Sequence, residues 1–164
     1  MLFLPVNLES AKQISTWKYE QPYNFYDHLE NENGIKELLN GTYYAVKDSK
    51  NELIGYFCFG ESAQVRDGVT LGIYSNKQSI DIGLAMHPIL TGKGYGKQFV
   101  QSGIQFAIHQ FHPKALRLSV ATFNQRAITV YEKIGFRLIK SFKNGSKNFQ
   151  LMEYQLENDK NRKR

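Results

Sequence analysis

The sequence predicts an α/β fold with a mixed, mostly antiparallel sheet and helices on both of its faces. Two observations support a layered α/β architecture: hairpin signals occur in both halves of the chain, and strand and helix patterns alternate between them. A third is the glycine-rich turn Gly92-Lys-Gly-Tyr-Gly96, which joins a predicted strand to a predicted helix. The central unit is therefore strand–glycine turn–helix–strand, and its strands are expected to be parallel.

Apolar periodicity and turn residues define the elements of the first half. They predict helices over 8–18 and 27–39, a hairpin of strands 42–46 and 52–59, a loop over 60–68 and an extension over 69–74. The aromatic stretch Trp17–Tyr26 contains Pro22 and lacks clean periodicity, so we expect a loop or a broken helix there.

The second half alternates regularly. The pattern predicts strand 79–87, helix 96–111, strand 116–122, helix 124–134 and strands 136–142 and 148–156. The helix after the glycine turn carries a wide apolar stripe, which indicates burial against a sheet. Asn144-Gly145 is a strong hairpin signal between the last two strands.

Length and composition indicate one globular domain over 1–157, followed by a basic tail at 158–164 that we expect to be disordered. The single cysteine, Cys58, cannot form an internal disulfide. The first five residues contain no basic segment and no apolar run of signal-peptide length, and no stretch is as apolar as a membrane span requires, so we expect neither a leader nor a span. We therefore expect a cytoplasmic protein with no membrane partner. The net charge of +6 suits a nucleic acid, an anionic surface or a small polyanion, and charge alone does not choose among them.

The glycine turn predicts an anion site. A helix N-terminus offers unpaired N–H groups and a favourable dipole, and glycines let phosphates approach closely. Lys93 and Lys97 add positive charge. The dinucleotide spacing G-x-G-x-x-G fails at Lys97 and at Phe99, and the P-loop spacing fails as well.

Two segments together resemble the GCN5-related N-acetyltransferase (GNAT) family. Residues 81–88 followed by Thr91-Gly-Lys-Gly-Tyr-Gly96 are similar to its acetyl-CoA segment, with Thr91 at a position that is Gln or Arg in the family. The second segment is Asn124-x-x-Ala-x-x-x-Tyr131-x-x-x-Gly135-Phe136. The resemblance covers roughly residues 79–137.

The resemblance implies acetyl-CoA as co-substrate, and it implies which residues hold it. The backbone near Leu84, Ala85 and Met86 would pair with the pantetheine arm. The remaining implied cofactor-binding residues are Thr91, Gly92, Lys93, Gly94, Tyr95, Gly96, Lys97, Asn124 and Tyr131. Asn124 could equally serve as a helix N-cap, and Tyr131 could be a core aromatic.

Tyr131 would protonate the departing sulfur, because a phenol is protonated at neutral pH. The candidates for the general base are Asp81 and Glu20, each acting directly or through a water, and each could instead be an exposed carboxylate without a catalytic role. Trp17, Tyr19, Tyr23, Phe25 and Tyr26 would line the acceptor site, or they form a satellite core over the sheet.

These features predict an acetyltransferase that moves the acetyl group of acetyl-CoA to a primary amine of a small molecule or protein, by direct attack in a ternary complex. The alternatives are a non-catalytic acyl-CoA sensor and a basic nucleic-acid-binding protein, which no nucleic-acid motif supports. His109 and His112 lack a third ligand in view, so no metal is predicted. The sequence is compatible with a homodimer.

Overall fold

This computed structural model describes residues 1–156. They contain seven β-strands and five α-helices. The strands are β1 (Leu2–Pro5), β2 (Tyr43–Lys47), β3 (Leu53–Phe59), β4 (Ser79–Met86), β5 (Ala115–Ala121), β6 (Arg137–Asn144) and β7 (Lys147–Gln155). The helices are α1 (Leu8–Ser15), α2 (Glu32–Leu38), α3 (Arg66–Thr70), α4 (Gly96–Phe111) and α5 (Gln125–Ile134). Short 3-10 turns occur at Tyr23–Tyr26, Gly60–Ala63 and Pro88–Leu90. The predicted tail at 158–164 lies outside the described residues.

The strand order is β1-β2-β3-β4-β5-β7-β6. The pairs β1–β2, β2–β3, β5–β7 and β6–β7 are antiparallel, whereas β4–β5 is parallel. The predicted mixed, mostly antiparallel sheet is therefore confirmed, as is the strand–turn–helix–strand unit with parallel strands. No helix of residues 1–156 is long and apolar enough to cross a membrane.

The chain divides into two compact units, and β4 contributes to both. The first comprises residues 1–58 and 84–95, and the second comprises 59–83 and 96–156 of the described chain. A single domain over 1–157 stays a prediction.

In the first unit, α1 begins at a capping box. The Asn7 side chain accepts from the Ser10 N–H at 2.9 Å, and the Ser10 hydroxyl accepts from the Asn7 N–H at 3.0 Å. The buried side chains Ala11, Ile14 and Leu38 belong to the core of this unit, together with β-strand residues such as Phe57. Strand β1 was not predicted, since four residues ending in Pro5 carry almost no pattern.

Helix α2 starts at Glu32, so the predicted start at residue 27 is wrong. The Asn31 side chain accepts a hydrogen bond from the Gly34 N–H at 3.0 Å and ends the extended segment before it. Asp27 is extended instead of helical, and its carboxylate accepts from the Tyr19 N–H at 3.0 Å. Apolar periodicity alone could not locate the cap.

In the second unit, helix α4 covers 96–111 as predicted. Helix α5 begins after Asn124 and ends at Ile134, and it is capped by Gly135, whose φ of 125° suits glycine. Strand β7 pairs with β5 over the full length of β5, from Ala115 to Ala121. The β6–β7 hairpin turns at Gly145, as the Asn-Gly signal indicated.

The extension predicted over 69–74 is wrong, because this segment contains the end of helix α3 and the turn after it. Val69 and Leu71 alternate with polar residues, which imitates a strand, yet both side chains are exposed. Helix α3 instead packs on Tyr74 through Gly68, where a Cβ would come within 2.9 Å of the Tyr74 ring. A side chain at position 68 would therefore push the helix away.

Candidate active site

The end of β4 is held by two hydrogen bonds within the first unit. The Tyr19 hydroxyl donates to the Met86 carbonyl at 2.7 Å, and the His87 N–H donates to the Ile54 carbonyl at 2.8 Å. Leu84, Ala85 and Met86 are half-buried. The segment predicted to bind the pantetheine arm is thus anchored at its C-terminal end by Tyr19 of the predicted acceptor wall and by Ile54 of β3.

The glycine turn follows directly. Thr91 is tied to the 3-10 turn before it, since its hydroxyl donates to the Pro88 carbonyl at 2.8 Å. Gly92 and Gly94 have φ values of 73° and 87°, which L side chains rarely adopt. A Cβ at Gly94 would meet no atom within 4 Å, so it is the backbone conformation and not crowding that calls for glycine there.

Helix α4 opens at Gly96, in the second unit. Its first turn contains no acidic residue, and Lys97 is exposed there. A Cβ at Gly96 would make ordinary contact with a Val130 methyl at 3.5 Å, so packing within this unit does not require glycine. A helix N-terminus without acidic residues favours an anion, and the pyrophosphate site at this turn stays a prediction.

Tyr131 and Asn124 lie on α5. The Tyr131 side chain is 8% exposed, and its ring centroid is 5.8 Å from that of Phe136. The Asn124 side chain accepts from the Ala127 N–H at 3.2 Å, which makes it the N-cap. The cap uses the side-chain amide oxygen of Asn124, and the cofactor role of this residue stays a prediction.

The two candidate bases have opposite environments. Asp81 is 3% exposed and forms an ion pair with Arg117, whose Nε lies 2.8 Å from its Oδ1. Arg117 Nη2 and Gln64 Nε2 donate to Oδ2 at 2.9 and 2.8 Å. Glu20, by contrast, is exposed. The expectation of an exposed carboxylate is therefore wrong for Asp81, because three donors surround it.

The predicted acceptor wall is split between buried and accessible rings. Trp17 is buried, with its ring centroid 4.9 Å from that of His87. Tyr23 and Tyr26 lie half-buried on a 3-10 turn, and Phe25 is exposed beside Tyr26, with 5.2 Å between the centroids. The satellite-core interpretation therefore holds for Trp17, and the acceptor role of the accessible rings stays a prediction.

Sequence reasoning missed a polar aromatic cluster formed by His28, Glu37, Tyr43 and Tyr56 in the first unit. His28 Nε2 lies 2.7 Å from the Tyr56 hydroxyl, and the Tyr43 hydroxyl donates to Glu37 Oε1 at 3.1 Å. Burial lowers the pKa of His28 and raises the pKa of Tyr43 and of Tyr56. The β2–β3 hairpin is the feature that could have revealed this cluster. Its register pairs Ala45 with Tyr56 and so places Tyr43 near Tyr56.

The sequence profile of the acetyltransferase (GNAT) family matches residues 8–136. The chain belongs to the GNAT family. A curated relative, spermidine N(1)-acetyltransferase of Vibrio cholerae, is 24% identical over 137 residues, which are 79% of this chain and 69% of the relative. The protein is accordingly an acetyl-CoA-dependent N-acetyltransferase.

Two solved GNAT structures show the same fold. The dodecameric spermidine N-acetyltransferase of Vibrio cholerae matches with a TM-score of 0.70 at 18% identity, covering 99% of this chain and 98% of that one. A GNAT acetyltransferase of Bacillus anthracis matches with a TM-score of 0.59 at 19% identity, covering 76% and 72%. The expected GNAT-like fold is confirmed.

Proposed function

We propose that this acetyltransferase acetylates a primary amine of a small polycation, with spermidine as its representative, by direct attack in a ternary complex. The observation that carries this proposal is a local reversal of charge. Residues 17–39 hold five of the fifteen acidic residues of the chain and two of its twenty-one basic ones. An acid-rich segment in a basic protein attracts a cationic acceptor to that segment.

The aromatic rings of the same segment support a cationic acceptor. Tyr23, Phe25 and Tyr26 keep part of their surface accessible, and ring faces attract ammonium groups. The curated Vibrio cholerae relative is named for spermidine, which agrees with this class of substrate.

In the proposed reaction the amine nitrogen forms a bond to the acetyl carbon while the carbon–sulfur bond breaks. The amine proton leaves to a base, and the thiolate takes a proton from the Tyr131 hydroxyl. Backbone groups of Leu84, Ala85 and Met86 would hold the pantetheine arm. The turn Thr91–Lys97 would hold the pyrophosphate, with Asn124 as a further contact.

We assign the base to Glu20, directly or through a water. Its exposure gives an amine access, whereas Asp81 has almost no accessible surface and its oxygens already accept from Arg117 and Gln64.

Thiol release from acetyl-CoA over a panel of acceptors tests the substrate class. The panel contains spermidine, spermine, putrescine, butylamine, an N-terminal peptide and a lysine peptide. We expect kcat/KM for spermidine to exceed that for butylamine by about tenfold, with the difference shrinking as salt screens the acidic segment. A higher kcat/KM for either peptide would overturn the polycation assignment.

The variant Glu20→Gln distinguishes two roles of Glu20, a general base and a charge that only attracts the cationic acceptor. Loss of a base lowers kcat and removes the acidic limb of the pH–rate profile, while loss of attraction raises KM alone. Glu9→Gln is the matched control, because Glu9 is an exposed carboxylate on α1 outside the segment. A Glu20→Gln profile that superimposes on the wild type would exclude Glu20 as the base.

A homodimer, a cytoplasmic location and a reaction without metal stay predictions. The dodecameric assembly belongs to the Vibrio cholerae relative, and it supports self-association here as a proposal only.

A further inference from the structure

The parallel pairing of β4 with β5 is short. It joins Ser79 to Ala115, Ile80 to Leu116 and Asp81 to Arg117. Strand β5 continues to Ala121, paired with β7 on its other side over its whole length. Within the second unit, β4 therefore leaves β5 immediately after the Asp81–Arg117 pair.

The side chains of this last pair form a closed polar network. The Arg117 guanidinium donates to both carboxylate oxygens of Asp81, at 2.8 and 2.9 Å, and both residues are under 5% exposed. Gln64 donates to the carboxylate from outside the strands, and Arg117 also donates to the Tyr74 carbonyl at 3.3 Å. Each planar group is thus held on more than one side.

A buried ion pair of this kind is weak evidence for added stability. Removing two charges from water costs about as much as their attraction returns, so a well-packed apolar pair often serves equally well. The pair instead specifies the register of β4 against β5. A slip of one residue would turn the Asp81 side chain to the opposite face of the sheet and leave a buried charge unpaired.

We propose that Asp81 and Arg117 are positioning residues for the donor site. They fix the register of β4 against β5 at the last residue pair of the two strands, and β4 continues along the chain from there into Leu84, Ala85 and Met86. This inference rests on the proposed role of Leu84, Ala85 and Met86 in holding the pantetheine arm. Two independent observations support it: the pairing between β4 and β5 is short, and the polar network around Asp81 and Arg117 is closed.

The double variant Asp81→Leu/Arg117→Met tests the proposal. It replaces the pair by apolar side chains of similar size, and the partly exposed Gln64 can turn to water. We expect Tm to stay the same or rise, while the Kd for acetyl-CoA, measured by calorimetry, increases about tenfold, the equivalent of losing one or two backbone hydrogen bonds to the donor. An unchanged Kd and kcat in the folded double variant would overturn it.

Arg117→Lys provides a second test should the double variant not fold. Lysine keeps the charge but loses the two-pronged contact, so we expect a weaker Kd for acetyl-CoA. An unchanged Kd in this variant would contradict the proposal by itself.

Tyr74→Phe is the matched control. The Tyr74 hydroxyl bonds Ser119 at 2.6 Å and accepts from the Val65 N–H, and the variant keeps the ring and the carbonyl that face Arg117. We expect Tm to fall and the Kd for acetyl-CoA to stay the same. If the ion pair mattered only for stability, its variants and Tyr74→Phe would change Kd and Tm in the same way. Failure of the wild type to bind acetyl-CoA would instead contradict the cofactor site itself.

Discussion

The Tyr19 hydroxyl donates a hydrogen bond to the Met86 carbonyl at 2.7 Å, which joins the predicted acceptor segment to the last residue of β4. Burial raises the pKa of Tyr19, so the hydroxyl stays a donor throughout the physiological pH range. The Asp27 carboxylate also holds Tyr19, because it accepts a hydrogen bond from the Tyr19 backbone N–H. Tyr19 is thus a fixed connection between the two proposed substrate sites of the first unit, and not a mobile ring of the acceptor wall.

Tyr19→Phe removes this connection while keeping the ring. We expect the free energy of unfolding to fall by about 1 kcal/mol, the usual net worth of one hydrogen bond. We also expect kcat/KM to fall about tenfold, because small displacements of a reacting group are costly. Urea unfolding and thiol-release kinetics measure the two effects. Tyr44→Phe on β2 is the control, and equal kinetics for both variants would contradict the role of Tyr19.

Gly94→Ala tests the glycine turn. The φ of 87° costs an alanine about 1–2 kcal/mol, and the new Cβ has open space, so any effect comes from backbone conformation. We expect the Kd for acetyl-CoA to rise about tenfold, measured by calorimetry. Gly72→Ala is the matched control, with a φ of 74° and the same open space, and it should lower stability without changing Kd. The pyrophosphate assignment fails if the two variants bind acetyl-CoA equally well.

Tyr131→Phe tests the proton donor. The ring contact with Phe136 is kept, so the fold should persist. We expect kcat to fall about 100-fold, within the range of general acid catalysis, while the Kd for acetyl-CoA changes little. Steady-state kinetics from about pH 6 to about pH 9 would reveal the loss. Turnover equal to the wild type across that range would exclude Tyr131 as the acid.

The pH dependence of stability should report on His28. Burial lowers its pKa in the folded chain, opposed by Glu37 and Asp27, so the unfolded state binds the proton more readily. Its contribution is fully present above the ordinary value of 6.5 and declines as the pH falls from there towards the lower folded pKa. We therefore expect Tm to fall between about pH 7 and about pH 5.

His28→Asn should flatten this decline, and thermal unfolding at a series of pH values measures it. His109→Asn, at an exposed position on α4, is the control and should leave the decline in place. Burial also lowers the pKa of His87, so part of the decline in Tm with falling pH should persist in the His28 variant. An unaltered slope in that variant would assign the effect to other groups.

The sequence by itself determined the features that depend on local backbone chemistry. The glycines at 92 and 94, the full extent of α4, the cap at Asn124 and the Asn-Gly hairpin each follow from what a few adjacent residues allow. The family resemblance rested on these same segments, and the match over residues 8–136 confirms it.

Only the tertiary structure decided the environment of the charged and polar side chains. Asp81 and Arg117 are 36 residues apart, and His28 and Tyr56 are 28 apart, so each pair depends on strand register and packing. Burial follows from the whole fold and not from neighbours in the chain. The same carboxylate that resembles a base in the sequence is therefore a buried ion-pair partner in the structure.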